Sequence, residues 1–207
     1  LIFVGLPVKC DGKVYNCAAA ISDGDIIALI PKKNLPNYNE FYEKRWFEPA
    51  GKISRDVEIG GRTVRMEEGA LFAAEGFREF TVGVELCEDL WVADSPSIAL
   101  AKKGANIIVN LSASDETVGK AEYRRSLVSM QSAKLVSGYV YADAGDGEST
   151  TDLVFSGHNI IAENGKILKE SNLFENGMII SEIDVKFLDY ERRKLYPGAA
   201  EEPGFAF

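Results

Sequence analysis

The chain has 207 residues, 46% of them hydrophobic, which is enough to bury one sizeable core and points to one domain or part of a larger one. A formal charge of −9 with no Lys/Arg block argues against a nucleic-acid groove, and no apolar run reaches the roughly 18 residues of a membrane span. Three cysteines (Cys10, Cys17 and Cys87) are an odd count without zinc-ligand spacing, which favours a reducing cytoplasm over a disulfide scaffold.

Leu1 to Pro7 is continuous and apolar and reads as a buried strand; it is too short for a signal peptide and lacks a basic start. The chain has no initiating Met and opens inside this strand, so we expect a piece of a longer polypeptide. Strands are predicted at Val14 to Ile21 and Ile26 to Ile30, joined by the hairpin signal Ser22-Asp23-Gly24-Asp25. Pro31 and Pro36 force the segment from Pro31 to Tyr38 into irregular backbone. Residues 51–68, polar and punctuated by glycine, predict a surface hairpin. Phe77 to Leu86 reads as a strand, and Ser95 to Lys103 as a helix with Ser95 as N-cap and Pro96 at N1. Ala105 to Leu111 predicts a fully buried strand. Gly119 to Val136 predicts a helix with Tyr123, Leu127, Met130 and Leu135 near one face.

Tyr139 to Ala144, Leu153 to Phe155, Asn159 to Ala162 and Met178 to Ile183 read as further strands, and Val185 to Lys194 as a charged helix. The tail from Tyr196 to Phe207 has linker composition. Helices alternating with strands in the middle and hairpins at both ends imply a mixed α/β sheet with helices packed on it.

The stretch with most chemistry in it is Gly83-Val84-Glu85-Leu86-Cys87-Glu88-Asp89-Leu90-Trp91. A cysteine between a strand and a helix is where α/β enzymes place a nucleophile, beside backbone N–H groups that hold an oxyanion. The plainer reading is a small buried thiol. A thiol nucleophile needs a group to take its proton. His158, the one histidine, sits 71 residues beyond Cys87 and reads more readily as a hydrogen-bonded or surface imidazole than as its base. Lys32, held between prolines, would lower the cost of a thiolate and of an oxyanion if it faced Cys87; otherwise it is a solvated loop lysine. Glu43, Glu85, Glu88 and Asp89 are the candidate acids. Carboxylates beside Cys87 raise its pKa unless a cation such as Lys32 offsets them.

The Gly83–Trp91 stretch resembles the nucleophile motif of the nitrilase superfamily, in particular the branch that forms the glutaminase domain of glutamine-dependent NAD synthetases. Three other stretches agree with it: Pro31 to Tyr38 running into Glu40-Phe41-Tyr42-Glu43; Asn110-Leu111-Ser112-Ala113-Ser114 followed by Gly119-Lys120 and Tyr123-Arg124-Arg125; and Tyr139-Val140-Tyr141 with Gly147 to Asp152. The resemblance runs from Leu1 to about Arg193.

It implies a nitrilase-like αββα four-layer sandwich lacking its first strand and helices, with residues 1–195 as the domain and 196–207 as the start of a linker towards a synthetase domain. It also implies Cys87 as nucleophile, Lys32 as catalytic lysine, Glu43 as the supporting glutamate, and Tyr38, Glu88, Ser114 and Arg124 as glutamine contacts. Without the resemblance, Arg124 reads equally well as a helix-surface ion pair.

The family's base glutamate lies upstream of the matched region and has no counterpart here, so these residues alone are expected to be inactive. Within the family the ammonia passes through a tunnel to the synthetase domain. There deamido-NAD is amidated with ATP and magnesium; the glutaminase domain itself needs no cofactor. A cytoplasmic homo-oligomer is the family expectation. The competing readings are a stand-alone amidase acting on another amide or carbamoyl compound, and a non-catalytic assembly module.

Overall fold

The computed structural model describes residues 1–150, 152–195 and 203–207. Thr151, within the Gly147–Asp152 stretch, and Tyr196 to Glu202, where the linker is expected, lie outside the described residues. In chain order the elements are β1 (Ile2–Cys10), β2 (Lys13–Ser22), β3 (Asp25–Pro31), β4 (Ser54–Ile59), β5 (Arg62–Glu67), β6 (Leu71–Ala74), β7 (Phe77–Leu86), α1 (Pro96–Lys103), β8 (Ile107–Ser112), α2 (Lys120–Leu135), β9 (Gly138–Asp143), β10 (Ile160–Glu163), β11 (Lys166–Glu170), α3 (Val185–Leu195) and β12 (Phe205–Ala206).

They build two sheets. One has the order β1-β2-β3-β5-β4; the other is β11-β10-β9-β8-β7-β6-β12. The predicted β2–β3 hairpin turns through Asp23 and Gly24, both left-handed (φ 51° and 84°), the backbone a two-residue turn of matching twist requires. β7, β8 and β9 are mutually parallel, so each needs a crossover, and α1 and α2 supply them.

The two sheets face one another through small residues on one side and large ones on the other. Ala18, Ala20, Ala28 and Ile30 meet Phe72, Val82, Val84 and Leu86. On its opposite face the seven-stranded sheet buries Ile108, Tyr139, Tyr141 and Ile160 against Leu100, Val128 and Leu135 of the helices. The five-stranded sheet has a second core of its own, in which Tyr15, Cys17, Ala19 and Leu29 pack with Val57, Val64 and Met66. Among the described residues no helix covers that face. The hairpin at residues 51–68 is therefore no mere surface feature, because its inward side chains close this core.

Several expectations are corrected. β1 is an edge strand with a neighbour on one side only, and Ile2 and Val4 are 63% and 45% exposed. Ser95 does not cap α1: its hydroxyl donates to the carbonyls of Leu90 and Val92, and the Ser97 N–H donates instead to Glu85 Oε2 of β7 at 2.8 Å. The buried stripe of α2 is Arg124, Val128, Gln131, Ser132 and Leu135, while Tyr123 and Met130 are exposed. Residues 153–155 make one isolated bridge (Asp115 with Phe155) rather than a strand, and 178–183 form no strand. At the end of the tail, Phe205–Ala206 pairs in parallel with β6, and Phe205 stacks on Phe72 at 5.3 Å.

Candidate active site

β7 runs out at Leu86 and the chain enters a 3₁₀ turn, Cys87–Leu90. Cys87 itself is left-handed at φ 45°, a conformation that costs a non-glycine residue about 1–3 kcal/mol and persists only where its surroundings hold it. Three bonds do so. The Leu86 N–H donates to Asp89 Oδ2 at 3.0 Å, and the Cys87 N–H donates to Asn110 Oδ1 of β8 at 3.1 Å. The thiol donates to the Ala113 carbonyl at 3.8 Å. Asp89, buried in the turn, also accepts from the backbone and side-chain N–H groups of Asn34 at 2.8 and 2.9 Å. One carboxylate thus clamps the proline-bounded loop of Lys32 onto the cysteine turn. Burial raises its pKa above the usual carboxylate value despite these donors.

Lys32 is not a solvated loop lysine. It is 1% exposed, and its backbone is fixed on both sides: its N–H donates to Asn16 O at 2.7 Å and its carbonyl accepts from Ala50 N–H at 2.9 Å. Its Nζ donates to Glu43 Oε2 at 2.7 Å, and Glu43 Oε1 accepts from Asn16 Nδ2 at 3.2 Å. Burial alone would lower the Lys32 pKa. Electrostatic interaction with Cys87 and Glu43, with the Glu43 hydrogen bond, outweighs that and holds it above its ordinary value. The lysine is therefore a buried ammonium.

Cys87 stands on the wall between two cavities. The larger, of about 540 Å³, is lined by Lys32, Glu43, Cys87, Phe3, Phe41 and Phe155 among others. The smaller, of about 370 Å³, is lined by Tyr38, Phe41, Cys87, Glu88, Trp91, Ser114, Asp115 and Lys120. Tyr38 reaches Glu88, donating its hydroxyl to that carboxylate at 2.9–3.0 Å. Lys120 pairs with Asp115, with its Nζ 5.5 Å from the centres of the Phe41 and Trp91 rings.

Cys87 thus stands beside buried Lys32 and its partner Glu43, at the end of a parallel strand between two packed sheets. The family model for carbon–nitrogen hydrolases covers residues 1–190. The chain belongs to the carbon–nitrogen hydrolase family. It is 40% identical to the glutamine-dependent NAD(+) synthetase of Mycobacterium tuberculosis over 94% of its own length, and 31% identical to that of Thermotoga maritima over 95%. It spans 29% and 33% of those relatives, less than a third of the first and about a third of the second. A solved glutamine-dependent NAD(+) synthetase from Cytophaga hutchinsonii superposes with a TM-score of 0.71 at 26% identity, covering 83% of this chain and 27% of that one. A carbon–nitrogen hydrolase from Helicobacter pylori shares the fold at a TM-score of 0.70 and 18% identity, over 94% of this chain and 65% of its own.

Within this carbon–nitrogen hydrolase domain the structure brings together Cys87, Lys32 and Glu43 in one cavity, and Tyr38, Glu88 and Ser114 with Cys87 in the other. Arg124 lines neither. It is fully buried behind the smaller cavity, donating to Ser114 Oγ at 3.3 Å, to the Asp115 carbonyl at 3.2 Å and to Glu116 at 3.0 Å. Arg124 therefore supports the Ser114–Asp115 backbone and is neither a surface ion pair nor a wall of the cavity.

The cation that does line the smaller cavity is Lys120, one turn earlier on α2, which sequence reasoning passed over. His158 is buried too, with Nδ1 2.9 Å from Arg124 and Nε2 2.7 Å from Glu170. Arginine can only donate, so Nδ1 accepts and the proton rests on Nε2. Both ring nitrogens are thereby committed to structure. Asp143, which also lines the larger cavity, accepts from the Ser114 N–H at 2.9 Å, and burial pushes its pKa up to about 7.

Proposed function

We propose that this domain hydrolyses the side-chain amide of glutamine through a Cys87 thioester and supplies ammonia to an NAD synthetase domain. The observation that carries the reading is the position of Cys87 between two unlike cavities. On one side is a buried ammonium, Lys32; on the other are charged groups of both signs suited to a zwitterion. The amino-acid head of glutamine fits the smaller cavity, with Glu88 facing its ammonium and Lys120 and Ser114 its carboxylate. In this reading the carboxamide then reaches the Cys87 thiol.

The thiolate adds to the amide carbon, and the negative charge that moves onto the amide oxygen is met by Lys32 and by the backbone N–H of Glu88. The nitrogen leaves as ammonia on taking a proton, giving a γ-glutamyl thioester. Water then releases glutamate and restores the thiol. Glu43 keeps Lys32 charged and aimed. The base that first takes the thiol proton is, in this reading, a glutamate outside residues 1–207, so these residues alone turn over no glutamine. The synthetase step, with deamido-NAD, ATP and magnesium, belongs to the remainder of the longer chain. The three unpaired thiols suit a cytoplasmic protein.

The test is release of glutamate and ammonia from glutamine, asparagine and a carbamoyl amine by the full-length protein, with Cys87→Ala alongside. Turnover of glutamine that vanishes in the variant supports the reading. Preference for another amide assigns a different branch of the family, and turnover that survives in the variant overturns the thioester.

A further inference from the structure

Behind Cys87, on the helix side of the seven-stranded sheet, a chain of hydrogen bonds leads away from both cavities. The Cys87 N–H donates to Asn110 Oδ1 at 3.1 Å, and Asn110 Nδ2 donates to the Tyr139 hydroxyl at 3.2 Å. Tyr139 in turn donates to Glu85 Oε1. Glu85 Oε2 accepts from the Ser97 N–H at 2.8 Å, and the Ser97 hydroxyl adds a further bond. Gln131 Nε2 donates to Ser97 Oγ at 2.9 Å, which leaves the Ser97 proton free to turn towards Glu85. Glu85 is 1% exposed, and its hydrogen-bond partners, Tyr139 and Ser97, both donate to it.

Direction is what matters in this chain. A phenol has one proton, and Tyr139 commits it to Glu85. The Tyr139 oxygen must then accept from its other neighbour, so Asn110 has to present its NH₂ group there. The Asn110 oxygen is thereby turned towards the Cys87 N–H. Were Glu85 able to donate, Tyr139 would accept from it and direct its own proton to Asn110. The Asn110 amide would then face a donor on each side, and turning to accept from Tyr139 would set its NH₂ against the Cys87 N–H, donor against donor. The left-handed turn at Cys87 would lose one of the bonds that hold it.

We propose that Glu85 is a positioning residue for the nucleophile: as an ionised acceptor it fixes, through Tyr139, the orientation of the Asn110 amide that holds the Cys87 turn. The proposal rests on Cys87 being the nucleophile of the reading above, although its test does not need glutamine. The titratable groups facing Glu85 are Tyr139 from β9 and Asp89 from the cysteine turn, and neither brings a positive charge. Burial accordingly raises the Glu85 pKa to about 7. The relay therefore weakens as this carboxylate takes up a proton.

The experiment compares wild type, Glu85→Gln, Tyr139→Phe and the double variant, each in the full-length protein. Readouts are the rate of Cys87 alkylation by iodoacetamide at one fixed alkaline pH, glutamine kcat and KM, and the thermal midpoint. Glutamine at position 85 can donate, so Glu85→Gln is expected to slow alkylation and lower kcat by about 100-fold with KM little changed, the scale of a misplaced reacting group. Its midpoint at pH 8 should be no lower than that of wild type, since a buried carboxylate has been neutralised. Tyr139→Phe breaks the relay without forcing the amide over, so its loss is smaller.

The double variant is decisive. With no phenol to transmit the change, it should behave like Tyr139→Phe alone, a strong departure from additivity. Additive losses in the double variant, or wild-type alkylation in Glu85→Gln, would overturn the proposal. If alkylation follows the predicted order while no variant or wild type turns over glutamine, the glutaminase reading fails and the relay stands.

Discussion

The two sides of Cys87 solve different problems with the same kind of residue. Towards the five-stranded sheet, one carboxylate is paired with a cation and another fixes the loop that carries it. Glu43 binds Lys32 at 2.7 Å, and Asp89 holds the loop that carries that lysine. Towards the helices, Glu85 is buried with hydrogen-bond donors and no cation. The first arrangement keeps an ammonium charged inside the protein, where it has its largest effect on a developing oxyanion. The second has no charge to offer the reaction and acts through direction, holding a backbone turn whose φ is unfavourable for cysteine. Charge in front and geometry behind are separable, so they can be broken separately.

The largest effect is expected from Cys87→Ala, which should reduce glutamine hydrolysis by the full-length protein to background in a glutamate-release assay. Next comes the front side. Lys32→Met should lower kcat by about 1,000-fold, the scale of removing an oxyanion donor, and leave partly buried Glu43 without its cation. Single-turnover kinetics would locate that loss in formation of the thioester.

The rear side is read by stability. A carboxyl whose pKa is raised on folding binds its proton more tightly in the folded state. Its contribution is present at low pH and lost as pH rises from the usual carboxylate range through the folded value. For Glu85, raised from 4.5 to about 7, this amounts to about 3 kcal/mol. Asp143, raised to about 7 by burial, acts with the same sign. The thermal midpoint should therefore fall between about pH 5 and 8, and Glu85→Gln and Asp143→Asn should each flatten that fall. Smaller still, Lys120→Ala should raise the glutamine KM by about 10-fold with kcat nearly unchanged, as expected for removing one charge-assisted hydrogen bond made equally in ground and transition states. Tyr38→Phe, which removes one donor from half-exposed Glu88, should raise KM by about 3-fold.

Much of the front side is legible in the amino-acid sequence. The hairpin at Asp23-Gly24 and the strand–cysteine–helix order follow from turn chemistry and periodicity, whereas Lys32 and Glu43 are singled out by the family resemblance, and the structure brings them to one cavity with Cys87. What the sequence hides is register along α2. Lys120 and Arg124 lie one turn apart with the same charge, and only the packing of the Ser114–Asp115 loop against the helix decides which one lines the cavity.

The periodicity of α2 is also misleading. Its buried face includes Arg124, Gln131 and Ser132, polar residues that a hydrophobic pattern counts as outward. β6 and β12, of four and two residues, are too short to show alternation, and β12 exists only because β6 offers it an edge. In sequence Glu85 is one more acid beside the cysteine. Its role depends on which groups across the sheet have a proton to give, which no single strand displays.

The most direct test of the central claim is intact-mass spectrometry of full-length protein quenched during glutamine turnover. The account predicts a glutamyl adduct on the peptide containing Cys87, released by hydroxylamine and absent from Cys87→Ala. Steady turnover without such an adduct, or an adduct carried by another residue, would contradict it.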